Sequence, residues 1–436
     1  MEILAIILFI SIFVLILYGY PVAFTLGGIS MIYALCFLDA GSFSTLPPRI
    51  MGVMTNYVLI AVPLFIFMGI MLEKSGLAES LLETMAILLG KIRGGLAISV
   101  VIVGALLAAS TGIVGATVIT MGLISLPTML KRGYSPELAT GTIAASGTLG
   151  QIIPPSVVLV LLASVLNVSV GKLFAAAFLP GILLVVCYIL YIMVKARLDP
   201  GSAPSIPVEE IRAFKDKNFA AKVIKAFVLP FLLIVSVLGS IFTGIATPTE
   251  AAAVGALGAS LLTIFQGKFN LDVLKSVMRE TTHLTSMVFI ILLGATTFTF
   301  VFREMHGDEY LVNLIREADL PAMGFLLLVM VVVFVAGFFI DFIEIIFIIV
   351  PVVAPIFLEL EIDLIWIGIL LALNLQTSFL SPPFGFSLFY LKGVAPPTVT
   401  TQHLYRGIIP FVIIQLIFLG LVILFPELIN LLQFSL

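Results

Sequence analysis

Residues 147–156 read Gly147-Thr-Leu-Gly-Gln-Ile-Ile-Pro-Pro-Ser156, in the middle of an apolar run from about Glu137 to Leu166. The run is long enough to cross a bilayer, which takes about 20 apolar residues. Its centre holds two glycines, two prolines and several polar side chains, which weaken or interrupt a helix. In hydrocarbon a freed backbone group finds no water. A break at this depth therefore predicts a site where other groups satisfy the backbone.

The composition of the whole chain indicates a helical membrane protein. Of its 436 residues, 61% are hydrophobic and 10% are charged, whereas soluble domains are about a quarter charged. The alternating segments of about 10 residues that mark a β-barrel do not occur in the sequence. We therefore predict an all-α polytopic membrane protein whose N-terminal apolar run is a first span and not a cleaved signal peptide. Full spans are expected at residues 3–19, 22–38, 57–72, 173–195, 227–245, 249–265, 284–302 and 407–425.

Four further segments are irregular. The runs 96–130 and 322–358 are too long for one span and have small or polar residues at their midpoints, so each predicts a re-entrant helical hairpin. The runs 137–166 and 364–391 predict interrupted helices. Re-entrant backbone is tolerated only where protein or a wet cavity covers it.

The distribution of basic residues supports this arrangement. We place the loop 196–226 in the cytoplasm and let each hairpin return to its own side. Four of the 21 lysines and arginines then lie outside, which leaves 17 in the cytoplasm; the four are Arg49, Lys172, Arg303 and Arg316. This agrees with the positive-inside bias and places both termini on the outer face. Segments 76–90 and 307–318 suit amphipathic helices at the interface.

The broken stretch has a second copy. Pro154-Pro155 recurs as Pro382-Pro383, and the same spacing of 228 residues relates Pro127 to Pro355. In the topology above, the first hairpin opens to the cytoplasm and the second to the outside. The halves 1–226 and 227–436 are therefore predicted to be inverted repeats. Paired broken helices in inverted repeats are the pattern of transporters that bind substrate and coupling ions at the midplane.

The residues around the breaks and hairpin tips are rich in hydroxyls, small side chains and free carbonyls. Such oxygens suit a small hard cation such as Na⁺, and half-helix N-termini suit carboxylates. In the first half the candidates are Ser110, Thr111, Gly112, Gly115, Ser146, Gly147, Thr148, Gly150 and Ser156. In the second half they are Gly337, Asp341, Asn374, Gln376, Thr377, Ser378, Ser381 and Gly385. The alternative for each of them is close packing of membrane helices.

Three acids fall at or near membrane depth. Asp341 can cap a half-helix, help to bind a cation or carry a proton. Glu250, in the first turn after Thr247-Pro248-Thr249, is expected to have a structural role near the helix N-terminus. Glu344 is the third.

The sequence disfavours an enzyme. It has one deep aspartate where an intramembrane aspartyl protease needs two, and it has no P-loop. Neither an organic cofactor nor a nucleic-acid partner is expected. A passive channel or scaffold subunit remains an alternative.

With these features in view, the chain resembles the large membrane subunit of tripartite ATP-independent periplasmic (TRAP) transporters. The resemblance covers essentially the full length, and its short motifs occur in order along the chain. They are Gly19-Tyr-Pro-Val-Ala-Phe-Thr-Leu-Gly27, Gly150–Ser156, Thr247-Pro-Thr-Glu250-Ala-Ala-Ala, and Phe339-Ile-Asp341 with Pro351 and Pro355. Glu344 departs from the family pattern, where a small or apolar residue is expected.

The resemblance implies Na⁺-coupled uptake of an organic acid in a bacterial or archaeal inner membrane. It implies a separate small membrane subunit and a periplasmic substrate-binding protein. The hairpins and broken helices would move as an elevator in the bilayer. It also implies sodium ligands at Ser110–Gly115 with Ser146–Gly150, and at Gly337–Asp341 with Thr377–Ser381; a stand-alone Na⁺-coupled carboxylate symporter is the other alternative.

Overall fold

The computed structural model describes residues 2–39, 41–112, 114–214 and 219–430, except for the side chains of residues 110, 111, 208, 213, 214, 221 and 430. All regular structure in this part of the chain is helical. Up to the first break the helices are α1 (Glu2–Leu17), α2 (Val22–Phe37), α3 (Leu46–Met54), α4 (Ala61–Lys74), α5 (Leu77–Leu89), α6 (Gly95–Thr111), α7 (Val114–Lys131) and α8 (Pro136–Thr148). The next helices are α9 (Val157–Leu166), α10 (Val170–Leu198), α11 (Val208–Phe214), α12 (Phe219–Val223), α13 (Leu229–Phe242), α14 (Pro248–Phe265), α15 (Leu271–Glu304) and α16 (Gly307–Glu317). The last helices are α17 (Ala322–Ala336), α18 (Phe342–Ile348), α19 (Val350–Glu359), α20 (Leu364–Leu380), α21 (Phe386–Val394), α22 (Thr401–Leu424) and α23 (Glu427–Asn430).

The predicted all-α polytopic class is confirmed. Within the described residues, seven helices are long and apolar enough to cross a membrane, or eight if the bent pair α18 and α19 counts as one span. Two spans begin earlier than the apolar runs indicate, α15 at Leu271 and α22 at Thr401. Asn270 and Thr400 cap these helices, and the polar first turns carry no hydrophobic signal. The short helix α3 has no counterpart among the predicted segments.

Helices α6 and α7 form a hairpin whose two ends meet. The backbone N–H of Leu96, at the start of α6, donates to the Tyr134 hydroxyl beyond α7 at 3.3 Å. Burial raises the pKa of this phenol. Gly94 and Ser135, one at each end, donate backbone hydrogen bonds to the carbonyls of Ala203 and Ser202. The loop after α10 therefore closes the base of the hairpin, which opens towards that loop.

The second hairpin consists of α17 and the bent pair α18–α19, whose axes differ by 50°. The rings of Phe325 and Phe357, near its two ends, lie 5.0 Å apart between centroids. Arg316, just before the hairpin, pairs with Glu359 at the end of α19. This hairpin also returns to its own side. The bend follows from Pro351, which stands in the first turn of α19 and cannot continue the hydrogen bonding of α18.

The helix bounds keep the spacing of 228 residues found in the sequence. Shifted by this amount, α6 to α9 run from 323 to 394, and α17 to α21 run from Ala322 to Val394. The hairpin arm α7 then begins at 342 and the broken helix α8 at 364, which are the starts of α18 and α20. Each break also contains a cis Pro–Pro bond. The relation of the halves as inverted repeats stays a prediction that the helix spacing supports.

The helices pack in two groups. One group contains α2, α4, α13, α14 and α15, with α2 packed along α15 and α4 along α14. The other contains both hairpins, both broken helices, α10 and α22, with α8 packed between α6, α7 and α22. Glu250 lies outside the second group and forms a capping box with Thr247 at the start of α14, which confirms its predicted structural role.

Candidate functional site

The first break lies between the two arms of the first hairpin, and small residues permit this approach. A Cβ added at Gly104 of α6 would lie 2.6 Å from the side chain of Ser146. A Cβ added at Gly147 would clash with Val118 of α7. The sequence prediction placed Ser146 and Gly147 at this site and did not include Gly104.

Gly150 approaches the hairpin arm backbone to backbone. Its added Cβ would lie 2.7 Å from the carbonyl carbon of Ala108 and 3.0 Å from the Ala108 Cα. These are backbone atoms of α6, which cannot turn away as a side chain can. Ala108 is one turn before the tip, where Gly112 has the left-handed backbone conformation (φ +61°). Glycine at position 150 therefore holds the break against the end of the hairpin arm.

The hydroxyls of the first break point their protons inward to their own helix. Ser146 Oγ donates to the Ile143 carbonyl at 3.0 Å, and Thr148 Oγ1 donates to the Ala145 carbonyl at 2.9 Å. Both side chains are fully buried. A hydroxyl whose proton is already bonded presents only lone pairs to other partners. It is then suited to a cation.

The second break repeats this pattern. Three hydroxyls of α20 and its C-cap donate to carbonyls three or four residues earlier, and one amide donates to a carbonyl of α17. They are Thr377 to Leu373, Ser378 to Leu375, Ser381 to Thr377, and Asn374 Nδ2 to Met330 at 2.7 Å. At the hairpin tip, a Cβ added at Gly337 would meet the side chain of Ser378. The structure therefore brings Gly337 and Ser378 together, and their role in binding sodium stays a prediction.

Asp341 caps α18 and shares a capping box with Glu344. The backbone N–H of Asp341 donates to Glu344 Oε2 at 3.4 Å. The capping role considered for Asp341 is confirmed, and Glu344 gains a structural role in the same box. Asp341 Oδ1 is buried and has no hydrogen-bond partner among the described residues. This oxygen remains available to a cation or a proton.

The two breaks contact each other through residues at equivalent positions. Gln376 Nε2 lies 3.5 Å from Thr148 Oγ1, and these residues are 228 positions apart. A contact between equivalent residues is what a two-fold axis passing between them produces. Gln376 Oε1 is buried without a partner in the described part of the chain.

Gln151 is a second residue that the sequence prediction did not include. Its side chain is fully buried, and neither Nε2 nor Oε1 has a partner among the described residues. Burying an amide without hydrogen bonds costs several kcal/mol by most measures, about 2–7. The burial of a glutamine depends on packing from distant parts of the chain, so no local pattern marks it. Together with Gln376 and Asp341, it gives the breaks and hairpin tips unsatisfied polar atoms that a ligand can satisfy.

The other predicted residues at the first hairpin tip contact α9 and α21 or have side chains outside the described part of the chain. Gly112 faces Val157 at the start of α9, and Gly115 faces the ring of Tyr390 on α21. Gly115 thus packs the first hairpin against the second half of the chain. The side chains of Ser110 and Thr111 lie outside the described part, so their role as ligands stays a prediction.

The oxygen atoms at the two breaks and hairpin tips are suited to one class of ion. It consists of neutral oxygens from hydroxyls, amides and carbonyls, with one carboxylate oxygen at Asp341. Within the described residues, no group of three or more His, Cys, Asp or Glu can hold a metal ion. Oxygen ligands of low charge favour a hard cation over a transition metal.

Comparison with known proteins places these features in a family. A profile of the family described as "Tripartite ATP-independent periplasmic transporter, DctM component" matches residues 9–428. The chain is 32% identical to the C4-dicarboxylate TRAP transporter large permease protein DctM of Vibrio cholerae, over 96% of this chain and 95% of that protein. It is 28% identical to the sialic acid TRAP transporter large permease protein SiaM of the same species, over 94% of this chain and 93% of that protein. In fold it is similar to the Alcanivorax borkumensis YdaH transporter, with a TM-score of 0.65 and 15% identity, covering 93% of this chain and 98% of that one.

Proposed function

Because the chain belongs to the DctM family of tripartite ATP-independent periplasmic transporters, we propose that it is the translocating subunit for Na⁺-coupled uptake of an organic acid. The membrane is proposed to be the inner membrane, with both termini on the periplasmic side. A separate small membrane subunit and a periplasmic binding protein complete the transporter. The relatives' names include a dicarboxylate and a sialic acid, and both of these compounds carry a carboxylate.

One observation carries the sodium assignment. At both breaks the hydroxyl protons are bonded to the helix itself, so the side chains offer oxygen lone pairs in buried positions. Such a site is filled well by a monovalent cation and poorly by an anion. The cation compensates the negative charge of a carboxylate, whose transfer alone into a low-dielectric medium costs many kcal/mol.

The movement proposed is an elevator. The hairpins and broken helices form one packed group. This group touches the group of α4 and α15 mainly through three helix pairs, α4 with α6, α4 with α9, and α15 with α18. Moving the packed group as a unit carries both breaks across the bilayer without separating hairpin tips from their breaks.

The experiment is uptake of radiolabelled succinate and sialic acid into proteoliposomes, with a sodium gradient and with a matched potassium gradient. We expect uptake only with sodium and only when the small subunit and the binding protein are both present. Robust uptake by this chain alone would favour a stand-alone symporter. Equal uptake with potassium would remove the sodium assignment.

A further inference from the structure

A second polar region lies away from the breaks, at the end of the bundle where α15 finishes. It is a cavity of about 600 Å³, a size typical of small-molecule sites. Its walls come from α3, the C-terminal end of α9, the last turns of α15 and the bent arm α18–α19. It lies at the opposite end of α15 from the Lys74–Glu280 ion pair.

Two arginines line this cavity, and one of them lies over an aromatic ring. The Arg49 guanidinium lies over the ring of Phe300, 5.2 Å from its centroid. Arg303 follows Phe300 by three residues on α15, so the two side chains are neighbours on the helix surface. A guanidinium stacked on a ring keeps its N–H edge for a carboxylate. Within the described part of the chain, no carboxylate lies at salt-bridge distance from Arg49.

The charge of the described lining is positive. It contains Arg49 and Arg303 and no aspartate or glutamate. Arg303 forms an ion pair with Asp308, whose Oδ2 is 4.0 Å from Arg303 Nε; Asp308 lines the neighbouring cavity. Asn56, Asn167 and Thr299 add neutral hydrogen-bonding groups among the apolar walls. Arg49, which has no carboxylate at salt-bridge distance among the described residues, is suited to bind a small carboxylate, and Arg303 adds positive charge that it shares with Asp308.

The cavity is elongated along α15 and along the facing arm of the second hairpin. On α15 its lining runs from Leu292 to Arg303, about 16 Å at 1.5 Å per residue. On the facing hairpin it runs from Leu358 back to Phe347. Phe347 is six residues from Asp341, so the cavity follows the hairpin arm from its base towards its tip. The lining on α15 is thus about half as long as the hydrocarbon thickness of a bilayer, which is near 30 Å.

We propose that this cavity is a reception site for the carboxylate anion on the outer face, where Arg49 and Arg303 bind the substrate before it reaches the broken helices. This inference rests on the proposed function, because it takes the substrate to arrive from the periplasm and to move inward. The site is distinct from the cation sites, with which it shares none of its lining residues.

The test measures the electrostatic potential inside the cavity without partner subunits. Thr299→Cys is made after Cys36 and Cys187 are replaced, and the chain is placed in neutral phosphatidylcholine vesicles. The rates of modification by an anionic and by a cationic methanethiosulfonate reagent are compared as a ratio. A unit charge about 8 Å away in water changes this ratio about fivefold at low salt, and the change should shrink in 1 M salt, where the Debye length is about 3 Å.

We expect Arg49→Gln and Arg303→Gln each to lower the anionic-to-cationic ratio about fivefold at low salt. The matched control is Arg316→Gln, an arginine that pairs with Glu359 and does not line the cavity, and it should leave the ratio within about twofold. Succinate should slow the modification of Thr299→Cys more than its neutral diamide does.

An unchanged ratio in Arg49→Gln, or equal protection by succinate and its diamide, would overturn the proposal. Neither result would affect the sodium assignment, because the reconstituted uptake measurement tests that separately. If sodium-driven uptake failed while the ratio fell as expected, the anion site would stand and the transport proposal would fail.

Discussion

The contact between Gly150 and Ala108 allows a sharp test of the proposed cation site. In Gly150→Ala the new methyl group would lie 2.7 Å from the carbonyl carbon of Ala108, whereas ordinary contact begins at 3.4 Å. The hairpin arm and the break must therefore separate by about 1 Å, because both contacting surfaces are backbone. Overpacking of this kind costs about 1–3 kcal/mol. The protein should stay folded with a small loss of thermal stability.

The same displacement should have a much larger effect on sodium. Oxygen ligands of hard cations keep their distances within a few tenths of an ångström, as Ca²⁺ sites at about 2.3–2.6 Å illustrate. If one ion is shared between the hairpin tip and the break, a shift of about 1 Å moves at least one oxygen ligand out of bonding distance from it. Each tenfold loss of affinity corresponds to about 1.4 kcal/mol. We expect the sodium concentration for half-maximal uptake to rise at least about tenfold.

Sodium-dependent thermal stability of the purified chain gives a second readout that needs no partner subunits. The single tryptophan, Trp366, lies buried in α20 and reports unfolding by fluorescence. Sodium in place of potassium should raise the melting temperature of the parent, since a ligand that binds only the folded state stabilises it. Gly150→Ala should lose most of this increment.

The matched control is Gly420→Ala in α22, where the added methyl group meets nothing within 4 Å. It should keep the parent's sodium dependence, with stability unchanged or raised by up to about 1 kcal/mol. The reasoning is refuted if Gly150→Ala keeps both the parent's sodium dependence of uptake and its sodium-induced stabilisation. GTLGQIIPPS would then be a packing feature only.

Three further predictions follow from the same contacts. Ser146→Ala should raise the half-maximal sodium concentration about three- to tenfold without unfolding the protein, because it removes one ligand and a hydrogen bond internal to its helix; unchanged sodium dependence in the uptake assay would exclude Ser146 as a ligand. Gln151→Leu should raise thermal stability by about 1–3 kcal/mol, since it removes an unsatisfied buried amide, and should impair uptake; full activity in the stabilised variant would show that Gln151 has no part in transport. In a background without Cys36 and Cys187, Lys131→Cys should react with an impermeant thiol reagent only from the cytoplasm and Glu361→Cys only from outside, and labelling from the reversed sides would remove the inverted-repeat proposal.

Local sequence patterns were sufficient for the features that depend on local chemistry. The hairpin 96–130 was predicted from its length and from the small residues at its midpoint, and the bond from Leu96 to Tyr134 confirms that its ends meet. The capping role of Glu344 has an equally local signal, since an acid three residues after Asp341 matches the capping-box spacing. The prediction treated Glu344 as a departure from the family pattern and overlooked this spacing.

Features that need long-range packing had no such signal. Gln151 is adjacent to Gly150 in the quoted stretch, yet its burial without partners depends on the surrounding helices. Gly104 faces Ser146 only because α6 crosses α8 at that point. Arg49 and Arg303 are far apart in the chain and were both counted simply as outer-face charges. Their shared cavity is a result of the way α3 lies against α15.

Electrostatics explains why the proposed anion site and the proposed sodium sites lie apart. A guanidinium at the breaks would repel the sodium ion proposed to bind there, and at about 4 Å in a medium of effective dielectric constant 20 this repulsion is about 4 kcal/mol. Placing Arg49 and Arg303 in the cavity keeps the anion's first partners away from the cation's ligands. Both arginines are exposed to solvent, which would weaken their hold on the proposed carboxylate. Weak binding is an advantage at this position, because an anion held tightly by arginines would not leave them for a site whose attraction depends on sodium. In the proposed cycle, sodium at the breaks would supply the attraction that draws the carboxylate inward, and this order would couple substrate movement to the ion.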